Sequence, residues 1–308
     1  MASGRPVHAV TGDEAFGEHR NLLFSVAYRV LGSAADAEDA VQDTWVKWSA
    51  ADRSQVADPK AYLVRIVTNL ALDRLRAAKA RRETYVGPWL PEPILTDAAE
   101  DAAAEESVSL ALLVLLEALS PLERAVFVLR EAFAFTYGEI AEAVDRSEET
   151  VRQAAHRARN HVRARRPRFH VNRARQREVT ETFFAAATGG DINTLMTLLA
   201  PDVTLWTDGG GKVRQAMRPV VGADAVARWV AATGTRPYQG ILPAEMTVEL
   251  TDLNGAPGLV FSGDGRVIAT LTLDLDENGR VVTLHNVANP DKLHAVATRT
   301  VHRLGSRR

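Results

Sequence analysis

The stretch TYGEIAEAVDRSEETVRQAAHRAR, residues 136–159, reads as two helices joined by a tight turn. Thr136 and Glu139 have capping-box spacing, the hydroxyl accepting from the Glu139 amide while the carboxylate reaches back to the cap. The first helix runs to about Val144, Asp145-Arg146 forms the turn, and Ser147 caps the second helix. Ile140, Ala141, Val144, Val151, Ala155 and Ala158 form a seam small enough for the two helices to cross closely. This is the helix-turn-helix plan. Its second helix carries Ser147, Thr150, Arg152, Gln153, His156 and Arg157. In a major groove, Arg pairs with guanine and Gln with adenine. An ordinary helical hairpin with a solvated basic face fits the same pattern, so the choice depends on the rest of the chain.

Upstream, residues 14–84 are helical throughout. Leu22, Leu23, Val26, Ala27, Val30 and Leu31 recur on one helix face, and Gly32-Ser33 stops that helix and starts the next. The second helix, Asp36 to Trp48, carries Asp36, Asp39, Gln42 and Asp43. Acids near a helix start suit the dipole, and a basic partner would make them a docking surface. Asp58-Pro59 opens a third helix with Tyr62, Leu63, Ile66, Val67, Leu70 and Leu75 on its apolar side. It ends in Asn69, Asp73, Arg76, Lys79, Arg81 and Arg82, with Arg74 among them. Cationic and hydrogen-bonding side chains together suit a separated DNA strand, although a solvated helix end has the same composition.

Residues 85–106 break the pattern. The string Gly87-Pro88-Trp89-Leu90-Pro91-Glu92-Pro93 and the Ala/Asp/Glu stretch after it, with Asp97, Glu100, Asp101, Glu105 and Glu106, predict an extended linker. A solvated tether has no use for an indole, so Trp89 is expected to dock on a neighbouring surface. Helical periodicity returns over 107–167 and ends in a dense basic run that includes Arg159, Arg163, Arg165, Arg166 and Arg168.

Over 174–300 the pattern becomes α+β. Two helices precede period-two strands at about 203–207, 246–253, 259–262, 267–275 and 281–287, with Asn254-Gly255, Asp264-Gly265 and Asn278-Gly279 as hairpin turns. Asp202, Asp208 and His285 are the residues here suited to acid–base chemistry, with no paired spacing among them. Asp208-Gly209-Gly210-Gly211-Lys212 serves a turn, and no helix-opening Ser or Thr follows to make it a phosphate cradle.

The 308 residues allow two or three domains, and a net charge of −2 conceals strongly acidic and strongly basic segments. There are no cysteines, which rules out disulfides and thiolate metal sites and fits a reducing compartment. No signal segment and no membrane span is evident, so a soluble cytoplasmic protein is expected, with no metal and no cofactor.

Residues 36–45 (DAEDAVQDTW), the segment Asn69 to Arg82 and the helix-turn-helix from Thr136 to Arg159 occur together in one order that resembles regions 2 and 4 of an extracytoplasmic-function sigma factor. The resemblance implies three interfaces. The helix bearing Asp36, Asp39, Gln42 and Asp43 would bind RNA polymerase core enzyme. Asn69, Asp73, Arg76, Lys79, Arg81 and Arg82 would read the promoter −10 element. Ser147, Thr150, Arg152, Gln153, His156 and Arg157 would read the −35 element. Trp89 to Pro93, Asp208 to Lys212 and Asn289-Pro290-Asp291-Lys292-Leu293 resemble a subgroup with a SnoaL-like extension. That implies two all-α sigma modules followed by an α+β SnoaL-like cone, whose second and third strings contact the linker and regulate activity in cis. Promoter-specific initiation is then the function and the chain is no enzyme. A SnoaL-like enzyme, or a sensor of a small ligand targeted to DNA by its N-terminal half, is the alternative. The promoter, the inducing signal and any anti-sigma partner are not readable from the sequence.

Overall fold

The computed structural model describes residues 12–97, 109–165 and 172–302. The end of the expected linker, with Glu100, Asp101, Glu105 and Glu106, lies outside the described residues. So do Arg166 and Arg168 and the side chains of Arg81 and Arg165.

The first module is α1 (Gly12–Leu31), α2 (Ala34–Ala50) and α3 (Pro59–Arg82). Gly32, at φ +70°, ends α1 in the left-handed conformation that favours glycine, and the Ser33 hydroxyl accepts from the Asp36 amide to start α2. The second module is α4 (Leu110–Leu116), α5 (Pro121–Phe127), α6 (Tyr137–Val144) and α7 (Glu148–Arg165). Thr136 and Glu139 make both halves of the capping box, and Asp145 at φ 52° turns the chain from α6 into α7. The two modules share one apolar core, in which Leu63 and Val67 of α3 belong to the same cluster as Ile140 and Val151.

The C-terminal part begins with α8 (Arg173–Gly189) and α9 (Ile192–Leu198). It continues through β2 (Leu199–Asp208), β3 (Val220–Val221), α10 (Ala223–Thr235), β4 (Thr247–Leu253), β5 (Ala256–Gly263), β6 (Arg266–Leu275) and β7 (Val281–Val287). A short helix α11 (His294–Ala297) and strand β8 (Val301–His302) follow. The expected α+β cone is present: α8 and α10 cover one face of the sheet, where Phe183 and Val230 meet Leu205, Leu271 and Leu284. Asn254-Gly255 and Asp264-Gly265 adopt positive φ at both positions, as two-residue hairpins require.

The linker is embedded in the fold. Leu90 to Thr96 is buried, and Leu95–Thr96 forms strand β1 within the cone's sheet. The strand order is β3-β2-β7-β6-β5-β4-β1-β8, with Leu95 opposite Leu253 antiparallel and opposite Val301 parallel. The prolines remove amide donors but leave Leu90, Ile94 and Leu95 as apolar surface, and that surface drives the segment inward.

Candidate nucleic-acid interface and linker clasp

On α7, Arg152, Gln153, His156 and Arg157 are exposed, opposite buried Val151, Ala154, Ala155 and Ala158. Arg152 pairs with Glu148 and lies 4.6 Å over the Tyr137 ring. Arg157 donates to Glu123 of α5 at 2.7 Å. Ser147 and Thr150 share a hydroxyl–hydroxyl bond of 2.8 Å at the cap. The N-terminal half of α7 thus presents a polar, cationic edge on a rigid apolar seat.

On α2, Asp39 and Gln42 are exposed, Asp36 and Asp43 half-buried, and Val46 is exposed beside them. Arg74 of α3 reaches Asp43 at 2.6 Å and Asp39 at 3.6 Å, so the acidic helix and the basic helix partly neutralise one another, a pairing the sequence reading missed.

The six residues expected at the −10 element divide. Asp73 and Arg76 pair with each other on the surface at 2.7 Å. Three others face inward to the second module. Asn69 donates to Ala143 O at 2.9 Å, Lys79 donates to Leu119 O at 2.6 Å, and Arg82 pairs with Glu117, which also holds buried Arg124. The side chain of Arg81 lies outside the described residues.

The three short strings converge on one buried centre. Asp208, fully buried at the end of β2, accepts from the Leu90 amide at 2.8 Å and from Lys292 at 2.7 Å on one oxygen, and from Tyr85 at 2.5 Å on the other. Lys292 also donates to Leu90 O at 2.6 Å, so both backbone groups of Leu90 are held. Burial pushes the Lys292 ammonium down to about 8 against the pull of Asp208, and it pushes the Tyr85 phenol up. Lys212 pairs with Asp291 at 2.6 Å, and Asn289 donates to Tyr85 at 2.8 Å. A Cβ at Gly210 would lie 2.4 Å from the Asn289 amide nitrogen, and one at Gly211 3.1 Å from Val86. Glycine is required there for close approach. Pro290 opens the turn that carries Asp291 and Lys292, and Leu293 packs with Leu90 and Val287.

The Arg82 guanidinium lies 3.5 Å and the Lys292 ammonium 4.0 Å from the centre of the Trp89 ring, since an indole face attracts cations.

Past Trp89 the linker turns to the first module. Glu92, flanked by buried Pro91 and Pro93, accepts from Ser33 at 2.9 Å and from the Ala34 and Ala35 amides at 2.7 and 3.2 Å, capping α2 from outside. Burial raises its carboxyl pKa, and these bonds oppose the rise. Tyr28 donates to Glu92 O at 2.6 Å and accepts from Asn254 at 2.6 Å, joining α1, the linker and the β4–β5 turn. Tyr28, Tyr85 and Asn254 were missed from the sequence, where Asn254 reads only as half of a turn.

The acid–base candidates do not converge. Asp202 is exposed and Asp208 belongs to the clasp. His285 is pushed down to about 4 by burial, and its Nδ1 lies 3.5 Å from Asp274.

An exposed helix-turn-helix face, an acidic helix beside a basic one and a cone that grips the linker between them define a two-region promoter-recognition factor with an appended domain. Residues 15–81 match the Sigma-70 region 2 family and residues 109–162 match Sigma-70 region 4. The ECF RNA polymerase sigma factor SigJ of Mycobacterium tuberculosis (strain ATCC 25618 / H37Rv) is 40% identical over 291 residues, 91% of each chain. Probable ECF RNA polymerase sigma factor SigI of Mycobacterium tuberculosis (strain CDC 1551 / Oshkosh) is 31% identical over 298 residues, 95% of this chain and 97% of the relative. The crystal structure of the M. tuberculosis SigJ protein matches with a TM-score of 0.73 at 37% identity, covering 91% of this chain and 97% of that one. The chain belongs to the extracytoplasmic-function sigma factors, which bind RNA polymerase core and direct promoter-specific initiation and are not a class of enzyme. Among the described residues no helix is long and apolar enough to cross a membrane.

Proposed function

We propose that the chain meets core polymerase through Asp36, Asp39, Gln42 and Asp43, the −10 element through Asn69, Asp73, Arg76, Lys79, Arg81 and Arg82, and the −35 element through Ser147, Thr150, Arg152, Gln153, His156 and Arg157. The cone regulates this activity in cis by holding the linker between the two DNA-reading modules. The units that act are residues 14–84, the linker 85–106, residues 107–167 and residues 174–300.

The observation that carries the regulatory part is the grip of Asp208 and Lys292 on both backbone groups of Leu90. A segment held at its backbone has one length and one direction, so the spacing of regions 2 and 4 follows the clasp. Asn69, Lys79 and Arg82 support the same reading. They are bonded to region 4, so engaging the −10 strand requires region 4 to leave α3. Activity then depends on the population of opened molecules. A small ligand of the cone is the second part of this reading, favoured by a cavity of about 260 Å³ inside it.

Reconstitution of the full chain with core polymerase on a promoter library tests the proposal. The double reversal Asp39→Lys, Asp43→Lys should abolish core capture and transcription together. Core capture that survives the reversal overturns the polymerase-binding role of α2.

A further inference from the structure

The loop between β2 and β3, residues 209–219, carries Lys212, Arg214 and Arg218, all exposed. Lys212 is neutralised by Asp291 at 2.6 Å. Arg214 and Arg218 have no acidic partner among the described residues. The loop holds them on a fixed backbone. The Lys212 and Val213 amides donate to Gly209 O at 3.0 and 3.1 Å, and Ala216 O accepts from Thr207 at 3.0 Å. Between these points the Gln215 side chain donates to Tyr238. The backbone is therefore ordered before any partner arrives, and a guanidinium fork matches the oxygens of a phosphate.

The position of the loop selects the source of the phosphate. A Cβ at Gly87 would lie 3.9 Å from Met217 Sδ and one at Gly211 3.1 Å from Val86, so the loop lies against residues 86–87. These stand a few residues beyond Arg82, where α3 ends. The cone is also fixed to region 2 by contacts that use no residue of region 4. Glu92 caps α2, Asn254 donates to Tyr28 at 2.6 Å, and the Phe24 and His302 rings stack 4.2 Å apart. When region 4 leaves α3, the loop keeps its place beside the end of that helix. A promoter read by α3 brings its backbone there, with one charge per roughly 1.7 Å of duplex axis.

We propose that Arg214 and Arg218 bind phosphates of the promoter duplex flanking the −10 element, which makes the cone a third DNA-binding surface. This rests on the reading of α3 as the −10 segment. Phosphate contacts fix register and carry no base information, so the loop adds affinity without changing the preferred sequence.

The test measures promoter binding by the full chain with core polymerase between about 50 and 200 mM salt. Each phosphate contact contributes about 0.9 to the slope of log affinity against log salt. Arg214→Gln with Arg218→Gln should flatten that slope by about 1.8, so the native chain loses roughly tenfold more affinity across the range. Arg214→Lys with Arg218→Lys should keep the native slope. So should Arg280→Gln, which removes an exposed cation at the opposite end of β7 from Val287 and Asp208. Methylphosphonate linkages flanking the −10 element, which carry no charge, should erase the difference between the native and Gln chains. A slope unmoved by the Gln pair, or a difference that survives the neutral backbone, overturns the contact. Lost core capture with an unmoved slope overturns it as well and assigns the two arginines to the polymerase. Arg76→Ala with the −10 base preference intact overturns the reading of α3 instead, and the slope of the Gln pair is read independently of that result.

Discussion

Burial and pairing pull the Lys292 ammonium in opposite directions, and burial wins, bringing it to about 8 from an ordinary 10.5. Between those two values the unfolded chain holds the proton and the folded chain has released it. Stability contributed by this group therefore rises with pH from about 8 to 10.5, by about 3 kcal/mol at full extent. Denaturant unfolding of the native chain and of Lys292→Met at pH 8 and pH 10 reads it: the difference should move in favour of the native chain at the higher pH. A difference that stays constant shows that Lys292 keeps its ordinary affinity for the proton. Arg152 belongs to the same scale. Arg152→Ala should relax preference at one base position of the −35 element at a cost of about 1–3 kcal/mol. Uniform weakening across a binding-site library would reduce Arg152 to a phosphate contact.

Among the elements, the linker has the least regular backbone and some of the most complete burial. Its amides at Leu90, Glu92 and Ile94 donate to Asp208, Gly32 O and Asn254. Hydrogen exchange at these three positions should be slowed to the level of β4 and β5, and exchange at open-loop rates would contradict the docked linker. The sequence made α6, the Asp145-Arg146 turn and α7 legible because capping and apolar spacing are local signals. The meander β4 to β7 was legible for the same reason, through its alternation and its hairpin turns. Strand β1 was not. A two-residue strand has no period of its own, and its partners Leu253 and Val301 lie far along the chain. The convergence of the three strings was visible as a resemblance. The assignment of Trp89 to two cations was not, since Arg82 and Lys292 each read as members of other groups. The polar residues of α7 were legible as a face, but the inward turn of Asn69, Lys79 and Arg82 depends on a packing of two modules that no local pattern encodes.

In the whole molecule, the linker is tied to the cone at Leu90 and to region 2 at Glu92, and Tyr28 and Phe24 of region 2 also meet Asn254 and His302 of the cone directly. Trp89→Ala and Asp208→Ala should each alter promoter-dependent transcription, although neither residue is placed on DNA. Trp89 and Asp208 share Lys292, so the double substitution should fall short of the sum of the two. Strictly additive effects would separate the indole from the clasp. The clasp also has a schedule. Leu90 and Lys292 are 202 residues apart in sequence, and Tyr28 and Asn254 are 226 apart. At a synthesis rate of roughly 5–20 residues per second, the stretch from the end of region 4 at position 162 to Lys292 takes about 6–26 s to make. Throughout that interval the prolyl segment lacks its hold on the cone, while the partners of Glu92 in region 2 are already made. Each new copy of the protein therefore starts life with its linker fastened at one end, and its age decides when the other end is drawn tight.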